Sequence, residues 1–589
     1  MKRYTRKLIS LMMTAVMAAG LLAGCGGGKD EVVSSPHGGP YEETITVDVF
    51  DGQANFQGMQ SGWFAKVVKD KFNMELNIIA PNVAGGGDTL YQTRSANGNL
   101  GDLIISSVEK NRLSDMVTAG LVLDMTDYIG ECENLQQYMT AIEETSLLAG
   151  EEYPGLWAVP SEVSNESATE PCEATDPTNA PSLRWDLYGE IGYPEMGTLE
   201  DLLDVLKQMQ DKAGTSDSGK AVYALSLFKD WDGDIMQNAG ALSALYGYEP
   251  VGFAMMNADS GDIQSIIEDD SVYIRSLRFL YDANQMGLVD PESTTQNFDN
   301  LNAKYTDGGV LYSFWPWFGS SYYNTAERTA EGKGFQSATI GDMKCLSYGS
   351  YTLGKMENAI MVGSQAKDPQ RMVDFIDWLY SPEGVEMSCS QSGDKCGPEG
   401  LTWEMKDGEP VLTDFGVEVF VNMADGYQVP EEWGGGTWKD GVSALNYKAL
   451  GVVDCDPETG MCYNYQRWED YQERVATKLT QDWKEKNDNA ATCIEYLANN
   501  GMLTVAPGSN YAIPEYSTDD STIKEQCKQV IVQDSWRMAF AADEAEFDSI
   551  LKEMQDTVRG LGYDQVFAVD TQNCQDKLAS YEEARKNQG

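Results

Sequence analysis

From Thr44 onward the chain alternates short apolar strands with amphipathic helices, and this alternation restricts the fold more than any other feature. Ile45, Val47 and Val49 alternate with polar residues up to Phe50, the period of a strand, and Asp51-Gly52 ends the run. Trp63, Phe64, Val67, Val68 and Phe72 then recur at helical spacing. Met74–Ile79 reads as a second strand and Leu103–Ser106 as a third, with a helix over 91–98 between them that stops at Gly98. Strand–helix–strand repetition predicts an α/β fold with a mainly parallel sheet flanked by helices. In such sheets ligands meet the loops beyond the carboxyl ends of the strands, which directs attention to 51–58, 82–89 and 106–110. Gly85-Gly86-Gly87-Asp88 in the second loop lacks the GxxxxGK[ST] pattern of a phosphate cradle and reads as a plain glycine loop.

The first 24 residues are of another kind. Lys2, Arg3, Arg6 and Lys7 precede an uncharged run from Leu8 to Leu22, and about 15 residues is short of the roughly 20 a membrane span needs. A basic start, a short apolar stretch and small residues at a cleavage point read as a secretory signal. Leu22-Ala23-Gly24-Cys25 resembles the bacterial lipoprotein signal, which implies a signal peptide over 1–24, cleavage before Cys25 and acylation there. The expected location is the outer face of the cytoplasmic membrane, with membrane contact through the lipid alone. Gly- and Pro-rich residues 25–40 then read as anchor and flexible tether.

Composition removes several function classes. The chain carries 42 Lys+Arg against 93 Asp+Glu, and loss of the four leader cations deepens the formal charge from −51 to −55. Such a field repels nucleic acid and anionic membrane surfaces. With 42% hydrophobic residues the chain is nonetheless globular, and no second long apolar run follows the leader. Its one histidine, His37, falls in the tether, so Ser-His-Asp, Cys-His and His-ligated zinc chemistry are closed to the folded body. Carboxylate-pair chemistry stays open. Asp230-Trp231-Asp232-Gly233-Asp234 and Asp454-Cys455-Asp456-Pro457-Glu458 both lack the glycine and terminal glutamate spacing of a calcium loop, so no metal site and no cofactor are expected. Beyond Cys25 ten cysteines remain. Cys389/Cys396 and Cys455/Cys462 each enclose six residues and are the best local disulfide pairs, unpaired thiols being the alternative.

Further along, Thr198-x-x-Asp201 reads as a capping box before a helix with Leu199, Leu202, Leu203, Leu206 and Met209 on one face. Val222–Phe228 reads as a strand, 275–286 as a helix, and 371–380 as a helix whose apolar face is Met372, Val373, Phe375, Ile376 and Leu379. Gly308 to Phe318 is the richest aromatic segment. Trp315 and Trp317 fit either a core or a cleft, and Pro316, which breaks the strand between them, favours the cleft. Residues 434–438 read as a loop, and 465–483 and 543–561 as helices, the latter closed by Gly562.

Several of these blocks resemble extracellular solute-binding proteins of bacterial ABC importers, of the carbohydrate type and of long lipoprotein members. The blocks are Asn97-Gly98-Asn99-Leu100-Gly101-Asp102-Leu103-Ile104, Gly120-Leu121-Val122-Leu123-Asp124-Met125-Thr126-Asp127-Tyr128, Tyr153 to Pro160, Leu183-Arg184-Trp185-Asp186-Leu187, and Asn358 to Val362 with the helix after Asp368-Pro369. Gly101 and Trp157-Ala158 depart from the family pattern. The resemblance implies two periplasmic-binding-protein-like α/β lobes of type II, joined by hinge strands: 41–160 plus 345–400 as lobe 1, 161–344 plus 401–589 as lobe 2. It implies a non-enzymatic monomer that closes on a solute and presents it to an ABC permease. Thirteen Trp and 30 Tyr with few cations point to a neutral oligosaccharide, because a pyranose's C–H face stacks on an aromatic ring. The candidate contacts are Asn55, Asp102, Trp157, Trp231, Trp315, Trp317, Tyr351, Trp433 and Trp438, with no catalytic residue among them. A surface glycosidase using two carboxylates is the rival reading.

Overall fold

The computed structural model describes Ser35 and residues 41–586, apart from 82, 84–86 and 389–393. The leader, Cys25, nearly all of the tether, the middle of the glycine loop and Cys389 lie outside the described residues.

Strand β1 (Ile45–Asp51) leads into helix α1 (Gly62–Phe72), whose inward side chains are Trp63, Phe64, Val67, Val68 and Phe72. The helix ends because Asn73 takes the left-handed conformation at φ 49° and returns its N–H to the Lys69 carbonyl. Strands β2 (Met74–Ile79) and β3 (Leu103–Ser106) then flank β1 on either side, both parallel to it. Strand β4 (Val159–Ser161) closes the far edge.

The chain then passes to a second body. There β5 (Ser182–Arg184) pairs antiparallel with β6 (Tyr312–Ser313) and β7 (Phe335–Ser337). Helix α2 (Asp201–Ala213) buries Leu202, Leu203, Val205, Leu206 and Met209. Its entry departs from the expected box: Asp201 accepts from the Gly197 and Thr198 N–H groups, while the Thr198 side chain does not cap the helix. Segment 222–228 is parallel to both of its neighbours, with Leu225 N–H on Leu288 O (3.0 Å) and Tyr312 N–H on Ala224 O (3.0 Å), but it makes bridges and no continuous strand. Helix α3 (Pro316–Tyr323) follows β6 directly.

Strand β8 (Cys345–Tyr348) carries the chain back, and β9 (Lys355–Val362) inserts antiparallel between β3 and β4. The first-lobe sheet is therefore mixed, with a three-strand parallel centre. Its alternation sorts two cores: Val47, Val49, Leu76, Ile78, Leu103 and Ile105 face α1 and helix α4 (Pro369–Leu379), while Phe50, Ile79, Ile104 and Met361 face the opposite layer. After β10 (Leu503–Ala506), parallel to β8, the long helices α5 (Thr518–Ala539), α6 (Glu544–Leu561) and α7 (Tyr563–Lys586) complete the second body.

The result is two α/β lobes between which the chain crosses three times. One boundary differs from expectation. Residues from Leu401 to Trp468, assigned above to lobe 2, pack in the first-lobe core with Trp63 and Phe64, through Trp403, Phe420, Trp438 and Tyr465. The second lobe's core resumes at Leu479. The helix expected over 465–483 is likewise broken, into a 3₁₀ turn (Tyr465–Arg467), Glu469–Arg474 and Lys478–Lys486, because the chain changes lobes there. The crossing segments run backbone against backbone: a Cβ on Gly349 would overlap the Ala168 carbonyl, so only glycine fits.

Candidate ligand cleft

The first lobe presents the carboxyl ends of β1, β3 and β4 on one rim. Asp51 ends β1 with a buried carboxylate that accepts from Asn446 N–H (2.8 Å) and Gln53 N–H (3.2 Å). Burial pushes this carboxyl up to about 6 against the pull of those bonds. The loop it folds is tied to β3 by Gly52 N–H on Ile105 O (2.9 Å), and it leaves Asn55 and Phe56 exposed at the rim. Beside it, Val108 N–H bonds Met356 O (3.0 Å), which brings Glu109, after β3, next to Glu357 at the start of β9. Burial and then the Glu357 charge push the Glu109 carboxyl upward.

Where the lobes meet, these two acids line a cavity of about 180 Å³ together with Tyr348, Tyr351, Tyr511 and Tyr581. Its two cations are occupied. Lys355 pairs with Glu162 (3.0 Å) and sits 4.8 Å above the Tyr351 ring; Lys577 pairs with Glu249 (2.6 Å), which also accepts from Tyr581 Oη (2.6 Å). Asn510 in the same wall donates to Leu353 O (3.3 Å), while its buried Oδ1 has no hydrogen-bond partner. Hydroxyl or amide donors of a ligand suit such a wall. Its size, below the roughly 300–1,000 Å³ of ordinary ligand pockets, suits one small unit of a longer molecule.

The second lobe presents rings. Trp231 lies in the loop after 222–228, and Trp317 in the first turn after β6; both segments point the same way, so both residues stand beyond carboxyl ends. Pro316 opens α3 and turns the chain, which buries Trp315 (5% exposed) and leaves Trp317 46% exposed. Trp231 packs edge-on against Trp315 (5.1 Å, 77°) and lies 5.9 Å from Trp317 at 31°. Phe318 stacks behind Trp317 at 5.4 Å. Trp317 is thus a ring fixed from behind and open in front.

The other candidates are placed as follows. Tyr351 lines the junction cavity. Asp102 and Trp157 lie at the amino ends of β3 and β4, away from the rim. Asp102 secures the strand entry, accepting from Asp48 N–H (2.8 Å) and Lys367 N–H (3.1 Å), and Trp157 donates its indole N–H to Tyr153 O (2.9 Å). Trp438 is core, stacked on Trp63 at 5.2 Å and 10°. Trp433 borders a separate first-lobe groove of about 590 Å³ with Phe415 and Arg474. Absent from the sequence-based set are Glu109, Glu357 and the tyrosines from 348, 511 and 581, which come from separate segments and share no spacing.

No family model and no curated protein sequence matches the chain. Its shape does find partners among solved structures. A Streptococcus pneumoniae ABC-transporter substrate-binding protein, FusA, in complex with kestose aligns over 92% of this chain and 100% of its own, at 13% identity and TM-score 0.58. The alginate-binding protein AlgQ2 without calcium ion aligns over 93% and 100% at 13% identity and TM-score 0.54. An extracellular solute-binding protein from Bifidobacterium longum subsp. infantis does so at 12% and 0.54, again over 93% and 100%. The chain has the two-lobed fold of extracellular solute-binding proteins of ABC transporters.

Proposed function

We propose that this chain is the solute-binding component of an ABC importer, capturing a neutral oligosaccharide between its lobes and delivering it to a membrane permease without chemical change. The observation that carries the reading is the presence of two unlike surfaces: a backed, open indole at Trp317 on the second lobe, and a cavity where the lobes meet, lined by carboxylates, tyrosines and paired cations from both. An indole face takes the C–H face of a pyranose, and Glu109, Glu357 and Asn510 take its hydroxyl protons. Both cations that line the cavity, Lys355 and Lys577, are already in ion pairs, which disfavours a uronate or phosphate there. FusA, which shares the fold, was solved in complex with kestose and supports the class. Closure of the lobes over the ligand is the hinge motion this architecture provides.

The chain acts as a monomer, with Cys25 acylated and the body held outside the cytoplasmic membrane by that lipid. The Leu22-Ala23-Gly24-Cys25 motif is what supports the lipid anchor, and no helix among the described residues is long and apolar enough to cross a membrane. Replacing Cys25 with Ser is expected to release the protein into the medium.

A glycan panel read by thermal shift tests the ligand class. At a concentration a hundredfold above Kd the matching oligosaccharide should stabilise the protein by about 2.7 kcal/mol. Silence across every neutral oligosaccharide would overturn the sugar assignment, and release of new reducing ends from any of them would overturn the non-enzymatic one.

A further inference from the structure

Cys455 and Cys462 face each other across the two arms of a hairpin in the first lobe. Two bonds frame them: Asp456 N–H on Met461 O (2.8 Å) and Tyr463 N–H on Asp454 O (3.3 Å). That pattern makes them a directly opposed pair with no hydrogen bond between their own backbones. It is the narrow site of an antiparallel ladder, with Cα atoms about 4.5 Å apart. A disulfide spans roughly 4.4–6.8 Å, so the backbone need not move to form one. Both thiols are free and only half-buried, within reach of a small reagent.

The hairpin also holds a lobe crossing. Asp454, next to Cys455, accepts from Ser164 Oγ (2.7 Å) and Asn165 N–H (2.7 Å). Val163 N–H bonds Ala449 O (3.0 Å) and Gly451 N–H bonds Val163 O (3.2 Å). Residues 162–165 are where the chain leaves the first lobe after β4.

From this placement we infer that Cys455 and Cys462 form an intrachain disulfide by exchange with a small-molecule disulfide, and that closing it staples the hairpin clasping the 162–165 crossing to the first lobe. The contact between the two thiols eases ionisation of one of them, and that thiolate opens the exchange. It bonds one sulfur of the oxidant and expels the other as a thiolate. The second thiol then gives its proton to solvent, attacks the protein sulfur of the mixed disulfide and expels the second half. One disulfide is consumed, one is formed, and two thiols leave.

Trypsin makes the test direct, because cleavage after Lys448 and Arg467 gives one peptide holding both cysteines and no other. The folded full chain is treated with oxidised glutathione, denatured, alkylated and digested. The expected peptide 449–467 is two hydrogens lighter and unalkylated, and it gains two alkyl groups when dithiothreitol precedes alkylation. Two alkyl groups, or two glutathiones, after oxidation would overturn the pair. Hydrogen exchange reads the staple: the amides of Val163, Asn165 and Gly451 should exchange more slowly in the oxidised chain, and unchanged rates would remove the clasp from the proposal.

Discussion

Two indole pairs, one in each lobe, show how the same side chain is put to different ends. In the first lobe Trp63 and Trp438 stack at 5.2 Å and 10°, and the free edges of Trp438 are met by Phe415 and Phe420 in T-shaped contacts. In the second, Trp231 and Trp317 lie 5.9 Å apart at 31°, with Phe318 and Phe298 behind them. The first pair is closed on every side and the second is open on one. Burying an indole removes about 150–250 Å² from water, worth about 4–6 kcal/mol at 25 cal/mol/Å². The first pair has that energy in the folded chain already. Trp317, 46% exposed, has part of it left to gain, which under the proposed function a ligand supplies.

The sharpest way to break this contrast is Trp438→Ala. Emptying a site walled by Trp63, Phe415 and Phe420 should cost about 3–5 kcal/mol, the usual penalty for truncating a large buried ring. Denaturant unfolding followed by fluorescence should show the first-lobe transition displaced by that amount, with m unchanged. A loss below about 1 kcal/mol would mean that the stack is not closed, and the distinction between the pairs would fail.

Charge separates regions of the lobes as the rings do. Glu386, on the helix Pro382–Ser388, is buried in the first lobe. Desolvation, then the charges of Glu399, Glu383 and Asp456, push its carboxyl up to about 8. In the second lobe, Glu200 is held below the usual range by its hydrogen bonds from Arg275 (2.9 Å). The signs are opposite. The folded state binds a proton at Glu386 more tightly than the unfolded chain does, so stability falls as pH rises from about 4.5 to 8, and the cost is fully present above that. Glu200 contributes stability above its unfolded value and loses it on acidification. Glu386→Gln should therefore stabilise the chain at pH 8 by roughly 4 kcal/mol and leave it nearly unchanged at pH 4.5. Chemical denaturation at both pH values checks this. An equal effect at both would show that Glu386 is not a buried charge at pH 8.

What could be read from the sequence was whatever repeats. The alternation of Ile45, Val47 and Val49, the spacing of Trp63 to Phe72, the apolar face of 371–380 and the 543–561 helix closed by Gly562 all recur as built, the last with Asp543 as its N-cap. What escaped was whatever depends on which end of an element is which, or on distant segments meeting. Asp102 and Trp157 belong to real strands, but at their amino ends. Trp438 follows three glycines and so resembled a loop residue, though Gly441 lets it approach Trp63 closely. The 401–468 stretch has no steady period because its core residues project from short, unlike pieces, Trp403 from a four-residue strand, Phe420 from a π-helical turn and Tyr463 from a bend; nothing local assigns it to a lobe. Glu109 and Glu357 are some 250 residues apart, and only the β3–β9 pairing brings them together.

The smallest effect sharpens the comparison most, because it concerns the open pair alone. Trp317 is 46% exposed, so Trp317→Ala should alter stability by less than about 1 kcal/mol. Loss of one stacking contact, about 0.5–1.5 kcal/mol, should weaken oligosaccharide binding by about 2- to 13-fold. Trp317→Phe should recover part of that, since a smaller ring still offers a face, whereas Trp157→Phe, at the amino end of β4, should leave the affinity where it was. Isothermal titration with the glycan found in the panel measures all three. If Trp157→Phe weakened binding as much as Trp317→Ala, the ligand would lie at the wrong end of the first-lobe sheet, and the open indole of the second lobe would be only an exposed side chain. A loss confined to Trp317, with the melting temperature unmoved, would fix the contrast between the two lobes as one between rings that hold the fold and a ring that waits for a ligand.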